Sequence, residues 1–424
     1  MRRALCVPLL LFSVEIPALG QVTAVRAGRL LDPDSGSVRQ DQVLLVEGGK
    51  ITALGAEVAI PKGARVIDLG DAVVLPGLFD AHTHMALTTV AARDFDRYYF
   101  TTLLEPTAYR AVQGVTNLRS MLESGFTTLR DVGNAGNYAD TALRRAIEDG
   151  WIPGPTLINA GRIIAPHGGQ FQLQPEKQAL GEPEYFFADT PDELRKAVRQ
   201  NIHYGAKVIK LVVDAQPYIY TEEEIRAAVE EAGRAGLKVA AHAYSNPAAR
   251  NAVLAGVASI EHGDDLNDEN LALMKERGVY LVSTDFPVGS YYSVTPESYA
   301  RSIDRLKRAY RIGTPLAFGT DVVYYKEGRT RGDLTLDFLQ SFADAGVPPA
   351  DILRAMTINA ARLLGVDSER GRLQVGMAAD LIALPESPLQ NIQALRKVSF
   401  VMKAGRVYKE GGRFVWTTPT RIGK

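Results

Sequence analysis

One cysteine in 424 residues leaves little room for sulfur chemistry. It is Cys6, close to the N-terminus, so no disulfide framework and no thiolate catalysis is expected of the folded chain. Charge of either sign is not in excess: 48 Lys and Arg stand against 49 Asp and Glu, for a net charge of -1. Without a basic patch, nucleic acid is not the expected partner. The N-terminal apolar run ALCVPLLLFSV is too short to span a bilayer. No Gly-rich nucleotide fingerprint follows any apolar β-rich stretch, which leaves a doubly wound dinucleotide-binding sheet without support. Histidine is scarce too, with six in the whole chain.

What is present is ample apolar material. Hydrophobic residues make up 46% of the chain, enough for a sizeable core. The basic start MRR, the short apolar run and Ala18-Leu19-Gly20 before Gln21 have the three-part layout of a secretory segment. Residues 1–20 are therefore expected to direct export to the periplasm or the extracellular space, leaving a mature chain with no thiol and no membrane span. A buried N-terminal strand is the alternative.

Residues 21–74 alternate apolar and polar positions between Gly-Gly and Asp-Pro turns, and a similar texture returns over 367–424. Both ends are expected to meet in one small β-sandwich. Over 75–366 the pattern changes. Eight apolar, β-rich runs recur, each followed by a helix-like stretch: AVVLPGLFDAHTH, FTTLRDVG, TLINAGRII, AKVIKLVVD, LKVAAHAY, VASIEHGD, VYLVSTD and PLAFGTD. Two intervening helices open on capping boxes, Thr190–Glu193 and Thr221–Glu224. Because strand–helix–strand crossovers are right-handed, eight such repeats predict an α/β fold, a (β/α)8 TIM barrel.

Chemistry in such barrels sits at the C-terminal ends of the strands. His82 and His84 end the first run; one residue apart on a strand, they face the same side. Lys210 lies in the fourth, His242 in the fifth, His262 ends the sixth and Asp321 ends the eighth. Singly, each has an ordinary structural reading: a hydrogen-bonded histidine, a buried ion pair, a helix cap. Four imidazoles, a carboxylate and an amine in one barrel mouth instead have the ligand types that zinc prefers. An ammonium beside two divalent cations is strongly repelled. Carbamylation of Lys210 by carbon dioxide resolves this by replacing a positive charge with a bridging negative one.

The motifs DAHTH, the lysine of VIKLVVD, AAHAYS, SIEHG and FGTD resemble the metal-site motifs of the amidohydrolase superfamily, as do TINAARLLG and GRLQVGMAADLI. Within it the chain is most similar to the imidazolonepropionase-like and Xaa-Pro dipeptidase-like branch, which includes secreted carboxypeptidase-type and ochratoxin-hydrolysing enzymes. The resemblance implies two divalent metal ions, expected to be zinc. His82, His84 and Asp321 would hold the more buried ion, His242 and His262 the second, with carboxylated Lys210 between them. Asp321 would take the proton of the attacking water and return it to the leaving amine. Relatives often place an oxyanion-steadying histidine after a Gly-Gly pair; here His167 precedes Gly168-Gly169, and it is the expected second catalytic and substrate-binding residue. His203 is read as structural.

Tyr218 and Tyr244 are expected to touch substrate, and Tyr220, Tyr324, Tyr325, Lys326, Arg329 and Arg331 offer further groups, the cations for a substrate carboxylate. The expected partner is a small amide or peptide with a hydrophobic or aromatic C-terminal amino acid: a dipeptide, an N-acyl amino acid or an ochratoxin-like amide. Homo-oligomerisation is left open. Cyclic amide or lactone hydrolysis and deamination are alternatives on the same scaffold, although HAYS lacks the His-x-x-Glu usual in deaminases. An exported binding protein without turnover is the alternative of another class.

Overall fold

The computed structural model describes residues 22–95, 97–171, 173–290 and 294–416. The expected export segment 1–20, with Cys6, lies outside them. Both chain ends build one nine-stranded mixed sheet. Its seam pairs Leu381–Leu384 antiparallel with Val73–Pro76, setting Ile382 opposite Leu75. Alternation in Val38–Glu47 turns Gln42, Leu44 and Val46 inward. Leu44 and Val46 join Val25, Val74, Leu381 and Phe400 in a separate apolar core, so the two ends form the small β-sandwich.

The middle of the chain is the (β/α)8 barrel. Leu78–Thr83, Phe126–Asp131, Ile209–Val212, Val239–Ala243 and Ser259–His262 are buried at every position, the pattern of parallel strands covered on both faces. Both capping boxes form, opening the helices Pro191–His203 and Glu222–Arg234. Among the described residues no helix is long and apolar enough to cross a membrane.

Two of the eight runs differ from expectation. TLINAGRII is not one strand: Thr156–Asn159 pairs with the second barrel strand, whereas Ile163–Ala165 pairs with the fourth. The break falls at Gly161, whose φ of +72° suits glycine and where a Cβ would come within 2.7 Å of Tyr138 Cε1. An unanticipated short strand, Tyr185–Phe187, pairs with Ile163–Ala165.

The eighth run, PLAFGTD, forms no continuous ladder, only a single bridge between Leu316 and Leu281. It still closes the barrel. Leu281 N donates to Pro315 O at 2.8 Å on one side, while Ala81 N donates to Phe318 O and Asp321 N to His82 O, each at 2.8 Å, on the other. Closeness explains the irregularity, because a Cβ at Gly319 would lie 2.3 Å from Val282 Cγ1 and 2.9 Å from His82 Cβ. Gly319→Ala is accordingly expected to cost about 1–3 kcal/mol of overpacking. It should also lower metal affinity by displacing His82. Thermal melting with metal analysis checks this, and a melting temperature equal to that of the parent protein would show that the contact relaxes freely.

Candidate metal centre and active site

The barrel mouth holds a cavity of about 400 Å³ lined by His82, His84, Lys210, His242, His262 and Asp321. All six proposed ligands thus face one space. Ligand atoms of His82, His262 and Asp321 lie within 4.8 Å of one another. Ring centroids are 5.3 Å apart for His82 and His84, 4.9 Å for His82 and His262, and 4.5 Å for His242 and His262.

Hydrogen bonds behind the rings decide which nitrogen faces the cavity. His84 Nδ1 lies 2.7 Å from Gly133 O; a carbonyl only accepts, so Nδ1 carries the proton. His84 Nε2 then meets Asp321 Oδ1 at 3.1 Å. Two acceptors that close need a proton or a cation between them. His82 Nδ1 donates to Glu261 Oε2 at 2.6 Å, and its Nε2 points toward Asp321 Oδ1, 3.8 Å away. His262 Nδ1 is held by Thr284 Oγ1 at 2.8 Å. His242 Nε2 is buried with no hydrogen-bond partner. Imidazoles braced through one nitrogen and open at the other are the arrangement that metal-binding histidines use. The donor set fits divalent cations on these grounds.

The electrostatics agree for three of the four rings; at His84 burial is outweighed by the Asp321 carboxylate, which raises the proton affinity. Burial lowers the proton affinity of His82, His242 and His262, aided by the nearby Lys210 charge, and brings His82 down to about 4. These rings are neutral and able to ligate at neutral pH. Burial opposes ionisation of Asp321, but His82, His84 and Lys210 outweigh it and hold the carboxyl below its ordinary value. Lys210 is pushed down to about 8 by burial, against the pull of Glu261 and Asp321. About a tenth of it is then neutral at pH 7, the form that reacts with carbon dioxide.

The backbone is bent to aim these groups. His262, Thr284 and Asp321 have φ of 68°, 51° and 57°. Left-handed conformations outside glycine cost about 1–2 kcal/mol each and cluster at functional sites.

Sequence reasoning missed the groups behind the ligands. Glu261 is fully buried and binds Arg130 Nη2 at 2.7 Å as well as His82; Arg130 is 2% exposed. Asp80, which burial raises to about 7, takes a hydrogen bond from Thr320 Oγ1 at 2.7 Å and ties the first strand to the eighth run. A charged residue inside an apolar strand needs a buried partner, and that rule applied to SIEH and TTLRD would have paired Glu261 with Arg130.

Other expected contacts are not brought together. Tyr244 lines the cavity, its ring 4.3 Å from that of His242. His167 and Tyr218 are both exposed and lie outside the lining. His167 N donates to Asp189 Oδ1 at 2.9 Å, and its carbonyl accepts from Tyr218 OH at 2.8 Å, so the loop turns both away from the ligands. Of the loop cations, Lys326 is exposed and outside the lining, and the two arginines are engaged elsewhere. Arg331 is buried and bonds Val322 O and Leu87 O, while Arg329 pairs with Asp337 at 2.9 Å. Tyr220 OH is spent on Ala188 O.

The chain is similar to known proteins in both sequence and fold. Its sequence is 29% identical to ochratoxinase of Aspergillus niger over 445 aligned residues, covering 95% of this chain and 89% of that one. The crystal structure of A. niger ochratoxinase superposes with a TM-score of 0.78 at 28% identity, covering 92% of this chain and 96% of that one. A Xaa-Pro dipeptidase with methionine bound in its active site gives 0.80 at 28% identity, covering 92% of this chain and all of that one. The Amidohydrolase family model matches residues 73–408, spanning the barrel and the six candidate ligands, and the chain belongs to that family.

Proposed function

We propose that this amidohydrolase is a dinuclear zinc enzyme that cleaves the amide bond to a C-terminal hydrophobic or aromatic amino acid in a small substrate, such as a dipeptide, an N-acyl amino acid or an ochratoxin-like amide. One observation carries the reading. Three histidines are braced through Nδ1, a fourth has an orphaned Nε2, and all meet Asp321 and Lys210 in one cavity. Zinc would be held by His82, His84, His242, His262, Asp321 and carboxylated Lys210, and would supply Lewis-acid polarisation of a carbonyl and a lowered pKa of water.

The chain's own residues do the rest. Asp321, ionised and facing His84, takes the proton of the attacking water and delivers it to the departing amine. Leu87, Ile163, Phe286 and Val323 on the cavity wall accept an apolar side chain and exclude bulk water. The identities of the relatives supply further support for an amide substrate.

Metal analysis with a panel of dipeptides and N-acyl amino acids tests the proposal. We expect about two zinc equivalents per active chain. Chelation should abolish hydrolysis and zinc should restore it. Hydrophobic C-terminal residues should be favoured and amidated C-termini should be poor substrates. Full activity after removal of metal would reject the mechanism.

A further inference from the structure

We infer that Asn134 is the residue that holds the substrate's carboxylate, through its side-chain N–H. The inference rests on the amide-hydrolase reading above and replaces the loop cations, which the fold turns away. Among the described residues lining the cavity, Lys210 is the one Lys or Arg, and it belongs to the metal set. An anionic substrate end therefore has to be met by neutral donors.

Three residues of the lining carry a buried side-chain atom with no hydrogen-bond partner: His242, Asp285 and Asn134. His242 Nε2 is a ligand nitrogen and Asp285 Oδ2 is an acceptor. Asn134 Nδ2 remains as a donor, on a residue 6% exposed. Tyr185, whose own hydroxyl donates to Gln170 Oε1 at 2.8 Å, draws a weak contact from this amide, but Nδ2 makes no hydrogen bond of normal geometry. A buried N–H left unsatisfied costs about 1–3 kcal/mol, a penalty that a ligand oxygen removes.

The surroundings hold this amide in place. Asn134 follows the second barrel strand in the turn GNAGN, at φ 51°. Gly133, at φ +106°, is so close to the third run that a Cβ would reach within 2.5 Å of Ile163 Cγ1. On the other flank the buried Arg110 grips Asn134 O, Ala86 O and the Glu184 carboxylate. The preceding carbonyl, Gly133 O, is the one that orients His84. Asn134 thus sits next to the carbonyl that orients His84, with its own carbonyl held by Arg110. Asp264, after the sixth strand, and Asp285, after the seventh and paired with the buried Arg305, offer the lining acceptors and no donors for a carboxylate.

Asparagine tolerates a left-handed backbone, so conformation alone is a competing reason for this residue. Asn134→Gly accepts that backbone and deletes the amide; Asn134→Asp accepts it and replaces the donor with a negative charge. With N-acetyl-L-phenylalanine as substrate, both variants should raise KM by about ten- to a hundredfold, the loss of a hydrogen bond to a charged group. The change in kcat should be smaller, and Asn134→Asp should be the more impaired. With N-acetyl-L-phenylalaninamide, parent and variants should be nearly alike. Calorimetric binding of the same two compounds to zinc-loaded proteins that also carry Asp321→Asn asks the question with turnover suppressed. Equal affinity of parent and Asn134→Gly for the carboxylate would overturn the assignment. Absence of hydrolysis by the parent, with the affinity difference intact, would sink the amide-hydrolase reading and leave Asn134 as the anion contact.

Discussion

Asp321→Asn is expected to lower kcat on the best amide substrate by about 10²–10⁴, the range that general acid–base groups contribute. Folding should survive the change. Asparagine has the same size, and it tolerates the left-handed φ of 57° at this position as readily as aspartate does. Its amide oxygen can still take the place of Oδ1, 3.1 Å from His84 Nε2 and 3.8 Å from His82 Nε2. What it lacks is a negative charge to accept the water's proton. The expected signature is a normal melting temperature, metal content reduced less than activity, and loss of the acidic limb of the pH–rate profile. Intact turnover in a variant that retains its metal would remove Asp321 as the base. Loss of turnover with metal retained would also dismiss the alternative of an exported binder, for which this carboxylate has no proton to move.

The candidate ligands were legible because they break a strong pattern. A polar side chain ending an apolar run stands out, and His82, His84, His242, His262 and Asp321 each do so. The capping boxes were legible for a local reason, since Thr190 with Glu193 and Thr221 with Glu224 satisfy each other within four residues. What escaped depends on contacts between distant segments. TLINAGRII reads as one β-rich run, and the packing of Tyr138 against Gly161 divides it between two neighbours. PLAFGTD has a strand's composition, but its ladder is lost where Gly319 presses on Val282 and His82. His167 was expected to be catalytic from the resemblance to relatives with a histidine beside a Gly-Gly pair, yet a hydrogen bond from its backbone to Asp189, twenty-two residues on, holds the loop outside the cavity lining. Asn134 showed no periodic signature, and its interest lies in a donor left unbonded, which a sequence does not display.

Removing the carboxylate behind His82 should be the most damaging single change to stability. Glu261 is 0% exposed and divides its oxygens between Arg130 and His82 Nδ1. Burial opposes its ionisation, but the Arg130 charge and the His82 hydrogen bond hold the carboxyl far below its ordinary range. Glu261→Ala leaves a buried guanidinium without a counter-charge and is expected to cost about 3–5 kcal/mol, read as a lower melting temperature or loss of soluble protein. Glu261→Gln is the more informative substitution, because an amide cannot accept from both neighbours. With its oxygen on Arg130, its NH2 faces His82 Nδ1 and forces the proton of that ring onto Nε2, the nitrogen that faces the cavity. Metal affinity should then fall about ten- to a hundredfold, the usual effect of losing such a bracing group. Stability and metal binding can be separated by replacing the pair together. Arg130→Met with Glu261→Leu substitutes apolar volume for two buried charges, an exchange that is often neutral or stabilising. The double variant should recover much of the melting temperature lost in Glu261→Ala while still binding metal poorly, since His82 regains no acceptor. Recovery of metal affinity together with stability would show that Glu261 serves Arg130 alone and that the orientation of His82 is set elsewhere.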